Sequence, residues 1–86
     1  MIMLRISIIK ETRSVVILKI EGRLVSEWVS LLEKECSRWM HHNRERLLDL
    51  EEVTYVDTSG LTLLRRLTRS SWKVSRCSSF VRQLLQ

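Results

Sequence analysis

Runs of β-branched residues alternate along this chain with stretches whose apolar residues recur at helical spacing. The runs "MLRISIIKE" and "SVVILKIEG" are separated only by the polar "ETR", which predicts a hairpin whose second strand ends at Gly22. Two further strands are predicted in "RLLDLEEVTYVD", where Leu47, Leu48 and Leu50 should be buried, and in "WKVSRC". The resulting order, β-β-α-β-α-β-α, predicts an α/β fold. Its sheet should be mostly parallel, with right-handed crossovers and the first strand antiparallel to the second.

The first helical stretch begins near Ser26, which we predict to be its N-cap, and Asn43 should end it. Apolar residues recur at helical spacing along the whole stretch and predict one buried stripe. The stripe contains Val25, Trp28, Val29, Leu32, Cys36, Trp39 and Met40. Trp28 and Trp39 could form an aromatic binding box, but their place in this stripe favours the core.

The second helix is predicted from about Ser59 to Arg69. Its inward side should carry Leu61, Leu64 and Leu67, with Leu63 at the edge of the stripe. A short third helix follows in "SSFVRQLLQ". Its apolar side should consist of Phe80, Val81, Leu84 and Leu85.

The chain has 86 residues, of which 44% are hydrophobic, enough for one core, so we expect a single domain over residues 1–86. No apolar run approaches the ~20 residues that a membrane-spanning helix needs. The start "MIMLRISII" is interrupted by Arg5 and lacks a small-residue cleavage site, so we interpret it as a strand. These observations predict a cytoplasmic protein without membrane insertion.

The cysteines and histidines do not have the spacing of a metal site. Cys36 and Cys77 are far apart and are expected to be buried thiols. His41 and His42 are neighbours near a helix end, where interaction with the helix dipole is the simpler interpretation. We therefore expect no metal and no cofactor.

Charge is distributed unevenly. Residues 1–57 contain nine Lys or Arg and all ten acids, whereas residues 58–86 contain six Lys or Arg and no acid. This asymmetry favours an acidic partner or an anionic surface near the C-terminal half, although a solubilising face is an equal alternative. Nucleic acid is the weaker hypothesis, because no nucleic-acid motif accompanies the charge and aromatic residues are scarce there.

The stretch "VDTSG" joins the third strand to the second helix and is the candidate functional site. Asp57, Thr58 and Ser59 are all good N-cap residues, so capping alone is one interpretation. Nucleophilic catalysis is disfavoured, because a serine or threonine nucleophile needs a base within hydrogen-bond reach and the histidines are placed on another element. We therefore predict no enzyme. A hydroxyl at an exposed helix start is also well placed to receive a phosphate, which would change the surface that a partner contacts.

The segment "LLDLEEVTYVDTSGLTLLRRL" resembles the central part of STAS domains, the family of the bacterial anti-sigma factor antagonists. The family signature is a hydrophobic strand, an Asp-Ser/Thr-Ser/Gly-Gly step and a leucine-rich helix. The hairpin ending in "EGRL", the amphipathic first helix and "CSSFVRQLL" also follow in the expected order. The resemblance therefore covers most of the chain.

This resemblance implies a non-catalytic switch. In antagonists of the family, the hydroxyl residue after the motif aspartate is phosphorylated by the anti-sigma factor, which is a serine/threonine protein kinase. Thr58 would be the phosphoacceptor here, with Ser59 as the fallback. Other family members dock the ATPase of a lipid-transport ABC system, and the threonine of "VDTSG" resembles that branch. The partner surface implied in either case comprises Asp57, Thr58, Ser59, Gly60, Leu61, Arg65 and Arg69.

Three features depart from the family pattern. Many antagonists have "GELD" after the second strand where this chain has "GRLV", so Val25 replaces an acid near the phosphorylation site. The acceptor is threonine instead of the commoner serine. The sequence ends at Gln86 without the last strand of fuller members, from which we expect a sheet edge that self-association or a partner could cover.

The second helix is also the most basic segment. Arg65 and Arg69 are four residues apart and share a face, and Arg66, the residue after Arg65, lies one step further round the helix. No acid within this helix stands three or four residues from any of them. The helix is therefore predicted to present a cationic stripe to an acidic partner.

Overall fold

Four strands and three helices follow one another in the predicted order. The computed structural model describes residues 4–40 and 43–86. The strands are β1 (Leu4–Glu11), β2 (Val15–Leu24), β3 (Glu45–Val56) and β4 (Trp72–Cys77). The helices are α1 (Ser26–Ser37), α2 (Thr58–Arg69) and α3 (Ser79–Leu85). The interpretation of His41 and His42 as dipole partners lies outside the described residues.

The sheet has the order β1-β2-β3-β4. β1 pairs with β2 antiparallel, whereas β2 with β3 and β3 with β4 are parallel pairs, which confirms the predicted mixed sheet. Both parallel connections step in the same direction across the sheet, so right-handed crossovers place α1 and α2 on the same face. α2 contacts α1 on one side and α3 on the other. The start of α2 therefore lies beside the start of α1.

The core is the layer between the strands and this helical face. Its buried members are Val16, Leu18, Ile20, Leu24, Leu32, Cys36, Trp39, Leu48, Leu50, Val53, Val56, Leu63, Leu64, Leu67, Trp72 and Val81. In β2 the buried residues alternate with half-buried ones, as expected for a strand with only one face fully covered. The predicted burial of Leu48 and Leu50 is confirmed, whereas Leu47 is only half-buried.

β2 continues past the glycine that was predicted to end it. Gly22 lies inside the strand with a φ of 100°, a conformation that glycine adopts without strain. The pairing with β3 shifts register between Gly22 and Arg23, and the strand then continues to Leu24. The prediction that Gly22 ends the strand was wrong because glycine here accommodates an irregularity of the ladder.

The predicted stripe on the first helix is too long. α1 ends at Ser37, so Met40 follows the helix and its side chain is 42% exposed. Trp39 is buried as predicted, but Trp28 is only half-buried. Met40 is the third residue after the end of α1, where helical spacing no longer decides which way a side chain faces, so the prediction that Met40 belongs to the buried stripe was wrong.

The buried sides of α2 and α3 also differ from the prediction. In α2, Leu63 is buried although it was predicted at the edge of the stripe, and Leu61 is half-buried although it was predicted to face inward. In α3, Val81 is buried but Phe80 is 42% exposed. Cys77, expected to be buried, is half-buried at the end of β4.

Candidate functional site

The site is the corner at which β3 passes into α2. β3 ends at Val56, and Asp57 is the N-cap of α2 in an extended conformation. Its Oδ1 atom accepts a hydrogen bond from the backbone N–H of Gly60 at 2.8 Å, which satisfies one of the unpaired donors of the first turn. Among the three candidate caps in the sequence, the aspartate therefore performs the capping.

Asp57 also links the two neighbouring helix starts. Its Oδ2 atom accepts a hydrogen bond from the backbone N–H of Ser26 at 2.9 Å. Its own backbone N–H donates to the carbonyl of Leu24 at 3.2 Å. The prediction that Ser26 is the N-cap of α1 was wrong: the cap position is Val25, which makes no side-chain capping bond, and a distant carboxylate supplies the acceptor.

Gly60 is required at this corner because of space. It is buried, and a Cβ atom built on it would lie 2.4 Å from the carbonyl oxygen of Leu24 and 3.0 Å from the side chain of Val56. Its φ is not in the positive range, so conformational freedom is not the reason. The missing side chain lets the first turn of α2 pack directly against the end of β2.

The two hydroxyl residues of the corner are exposed. The backbone carbonyl of Thr58 accepts a hydrogen bond from the hydroxyl of Thr62 at 2.9 Å. The Thr58 hydroxyl itself has no hydrogen-bond partner among residues 4–40 and 43–86. Because Asp57 performs the capping, the hydroxyls of Thr58 and Ser59 are accessible without any change to the helix start.

A groove of about 290 Å³ runs from this corner between α1 and α2. It is lined by Val29, Thr58, Ser59, Thr62, Leu63 and Arg66. The groove thus connects the two exposed hydroxyls with one of the three arginines of α2.

The three arginines have different surroundings. Arg66 forms an ion pair with Glu33 of α1, a partner that the sequence spacing within one helix did not show. Arg65 donates from Nη2 to the carbonyl of Leu84 in α3 at 3.3 Å. Arg69 has no ion pair with any residue that the structure describes. Arg65 and Arg69 line one exposed groove of about 460 Å³, as expected for residues on a shared face, and Arg66 lines it as well.

The predicted surface residues thus extend along one helix, from its N-cap Asp57 to its last residue Arg69. Thr58, Ser59, Arg65 and Arg69 are exposed. Asp57 and Leu61 are half-buried, and Gly60 is buried. Sequence reasoning missed the contribution of α1, namely the Ser26 N–H, Val29 and Glu33. The only available signal was that Glu33 lies off the apolar stripe, which indicates exposure but not a partner.

Cys36 has a buried, unreactive thiol. Its thiol is buried, and burial raises its pKa to about 12, with smaller contributions from the nearby Glu35 and Glu33 carboxylates. A thiol with this pKa is protonated at neutral pH and is a poor nucleophile.

The described part of the chain has neither a metal-binding cluster nor a membrane-spanning helix. No group of three or more His, Cys, Asp or Glu side chains there is arranged to hold a metal ion. No helix in residues 4–40 and 43–86 has both the length and the hydropathy that crossing a bilayer requires.

Comparison with known proteins agrees with this architecture. The family model of the STAS domain matches residues 7–83. Among solved structures, the fold is similar to that of the unphosphorylated anti-sigma factor antagonist SpoIIAA, with a TM-score of 0.71 and 20% sequence identity. The match covers 95% of this chain and 78% of that chain. No curated protein sequence matches the chain.

Proposed function

The chain belongs to the STAS domain family, and we propose that it is a non-catalytic regulatory module of the anti-sigma factor antagonist type, controlled by phosphorylation of Thr58. The observation that carries the proposal is the exposed Thr58 hydroxyl, which has no partner among the described residues, on a helix start already capped by Asp57. A kinase can modify such a hydroxyl without breaking a bond that holds the fold. The fold similarity to SpoIIAA is consistent with this type of module.

Phosphorylation would change the surface and leave the fold intact. A phosphate adds about −1.5 to −2 charges at neutral pH. The Asp57 carboxylate beside it is held by two backbone N–H groups and would stay in place. The new charge would therefore project from the start of α2 into the region that a partner contacts.

The proposed partner is an anti-sigma factor with serine/threonine kinase activity. We place its contact surface on the exposed side of the corner and along the first turns of α2, with Thr58 and Ser59 at the centre. Arg65 and Arg69 extend this surface with a positive charge that an acidic partner would complement. The half-buried Leu61 lies between the hydroxyls and the arginines in the sequence and offers a small apolar contact.

The test is phosphorylation by an anti-sigma factor kinase from the same host. The purified protein is incubated with that kinase and ATP, and the phosphate is located by mass spectrometry. We expect label on Thr58, and loss of the label in Thr58→Ala but not in the matched variant Ser59→Ala. Label on Ser59 alone would move the switch to the fallback residue, and no label on either residue would remove it.

The alternative is a small subunit that docks the ATPase of a lipid-transport ABC system. Val25 is the observation that favours it. This residue is the N-cap of α1 and precedes Ser26, whose N–H binds Asp57, so an apolar residue lies beside the corner where many antagonists have an acid. Affinity capture from the native host distinguishes the two functions: a kinase supports the switch, and a transporter ATPase without a kinase supports the alternative.

A further inference from the structure

Arg66 separates two grooves between α1 and α2. On one side is the groove of about 290 Å³ that contains Thr58 and Ser59. On the other side is a groove of about 230 Å³ whose lining includes Glu33, Cys36 and Leu67. Arg66 lines both, and its guanidinium pairs with Glu33. The Arg66–Glu33 pair therefore lies at the boundary between the corner groove and the rest of the helix interface.

This ion pair is weakly held. The side chains of Arg66 and Glu33 are 62% and 49% exposed. Exposed pairs of this kind contribute little to stability, because water screens the attraction and two long side chains lose freedom. A stronger anion within reach would therefore displace Glu33 at little cost.

We propose that Arg66 binds the phosphate of phosphorylated Thr58 and leaves Glu33 in order to do so. The proposal rests on the proposed function and identifies the phosphate-binding residue of that site. Neither the position of Arg66 nor its pairing with α1 belongs to the Asp-Thr-Ser-Gly motif. The exchange is a property of this chain that follows from the shared groove.

The geometry allows the exchange. Arg66 is eight positions after Thr58 in α2, which corresponds to a rise of about 12 Å along the helix axis. A helical side chain leans toward the N-terminus of its helix, so an Arg66 side chain that has left Glu33 is free to extend toward the corner. The same lean directs the Thr58 side chain away from Arg66, so the arginine has to cover most of the distance. An extended arginine and a phosphothreonine together span a distance of this order. Thr62 also lines the groove between them, and its hydroxyl donates to the backbone carbonyl of Thr58.

The charges favour the phosphate over the carboxylate. Glu33 carries one negative charge, whereas a phosphate carries about −1.5 to −2 and accepts two parallel N–H bonds from a guanidinium. Arg65 is the nearest competitor, but its guanidinium is bonded to the Leu84 carbonyl on the α3 side. Arg69 is eleven residues from Thr58, about 16 Å along the axis, and does not line the corner groove.

The exchange would alter both helices at once. Binding by Arg66 would partly neutralise the phosphate at the start of α2. Glu33 would then be an unpaired carboxylate on α1. A partner that contacts both helices would meet a changed charge pattern on each of them.

The test is a titration of the phosphate by phosphorus-31 NMR. Phosphothreonine is incorporated at position 58 during synthesis of the full chain, so no kinase is needed. The second ionisation of a phosphothreonine has a pKa of about 6, and a guanidinium bound to the dianion lowers it. We expect Arg66→Gln to raise this pKa by roughly half a pH unit. Glu33→Gln, which releases Arg66, should lower it.

The matched control is Arg69→Gln, which removes the same charge from the same helix outside the corner groove. The proposal requires a clearly larger rise in Arg66→Gln than in Arg69→Gln. Equal shifts in these two variants, or a larger shift in Arg65→Gln, would overturn it. Because the phosphate is installed chemically, failure of the native kinase to modify Thr58 would refute the proposed function and leave this result standing.

Discussion

The Oδ2 atom of Asp57 accepts a hydrogen bond from the backbone N–H of Ser26 at 2.9 Å, so one carboxylate joins the first turns of α1 and α2. The other oxygen of the same carboxylate caps α2 through Gly60. Asp57 is therefore a structural clamp, and the neighbouring Thr58 is released from capping. These adjacent residues therefore have separate roles, because Asp57 holds the fold and the Thr58 hydroxyl stays available.

Replacing Asp57 with alanine removes two hydrogen bonds to backbone donors. An N-cap contributes about 0.5 to 2 kcal/mol and a hydrogen bond to a charged group about 1.5 to 3 kcal/mol, so we expect a loss of roughly 2 to 4 kcal/mol. Asp57→Asn keeps one oxygen acceptor and should lose about half as much. Urea denaturation measures both losses. A cost for Asp57→Ala no greater than that of Thr58→Ala would show that the clamp is absent in solution.

Gly60→Ala tests the close contact between α2 and β2. Helix propensity alone would favour alanine by about 1 kcal/mol. The new Cβ, however, would lie 2.4 Å from the Leu24 carbonyl oxygen, a backbone atom that cannot move aside alone. We therefore expect destabilisation of about 2 kcal/mol or more by thermal or urea unfolding. Ser59→Ala, at the exposed neighbouring position, is the control, and stabilisation by Gly60→Ala would contradict the packing described.

Arg65 and Arg69 should increase the rate of partner association. Both are exposed, and they line the same groove on α2. Changing both to glutamate should slow association with an acidic partner, most clearly at low salt, because long-range attraction is lost. Stopped-flow measurements at two ionic strengths test this. The control is Arg69→Glu alone, which changes the charge without breaking the hydrogen bond from Arg65 to the Leu84 carbonyl. Equal association rates for wild type and all variants at low salt would show that the cationic stripe serves solubility alone.

Cys36 should make stability depend on alkaline pH. The folded pKa is raised from 9.0 to about 12, so the folded state holds its proton more tightly than the unfolded state. The stabilisation is fully present below pH 9 and decreases as the pH rises toward 12, by at most about 1.4 kcal/mol per pH unit. Cys36→Ala should lower stability at pH 8 but flatten this decline. Parallel slopes for wild type and Cys36→Ala between pH 9 and 11 would contradict the buried thiol.

The order of elements was predictable because it depends on local patterns. Short β-branched runs and helical stripes are readable from one sequence, and handedness rules then leave few arrangements. The antiparallel hairpin and the two parallel pairs were obtained in this way. The exposed hydroxyls at the corner followed from the same reasoning.

The errors occurred where distant residues decide the outcome. Ser26 has the composition of an N-cap, yet its N–H binds Asp57, 31 residues away. Leu63 is buried and Leu61 half-buried because the packing of α2 against the sheet, which includes the close approach of Gly60 to Leu24, decides which side of the helix faces inward. The pairing of Arg66 with Glu33 likewise joins two helices that only the fold brings together. A one-dimensional pattern contains none of these contacts.

Thr58 is proposed to act as a switch that has no capping role. The most direct measurement is calorimetric titration of the partner kinase into wild type, Thr58→Ala and Thr58→Glu, alongside the unfolding free energy of each protein. Ser59→Glu serves as the matched charge control. We expect Thr58→Ala to be within about 0.5 kcal/mol of wild-type stability, because its hydroxyl is not part of the cap.

In that titration, Thr58→Ala should bind the kinase like wild type. Thr58→Glu should bind at least about tenfold more weakly, a loss of about 1.4 kcal/mol that exceeds its loss of stability. Ser59→Glu should have a smaller effect on binding. Wild-type affinity for both Thr58 variants, or a stability loss in Thr58→Ala as large as that in Asp57→Ala, would contradict the account.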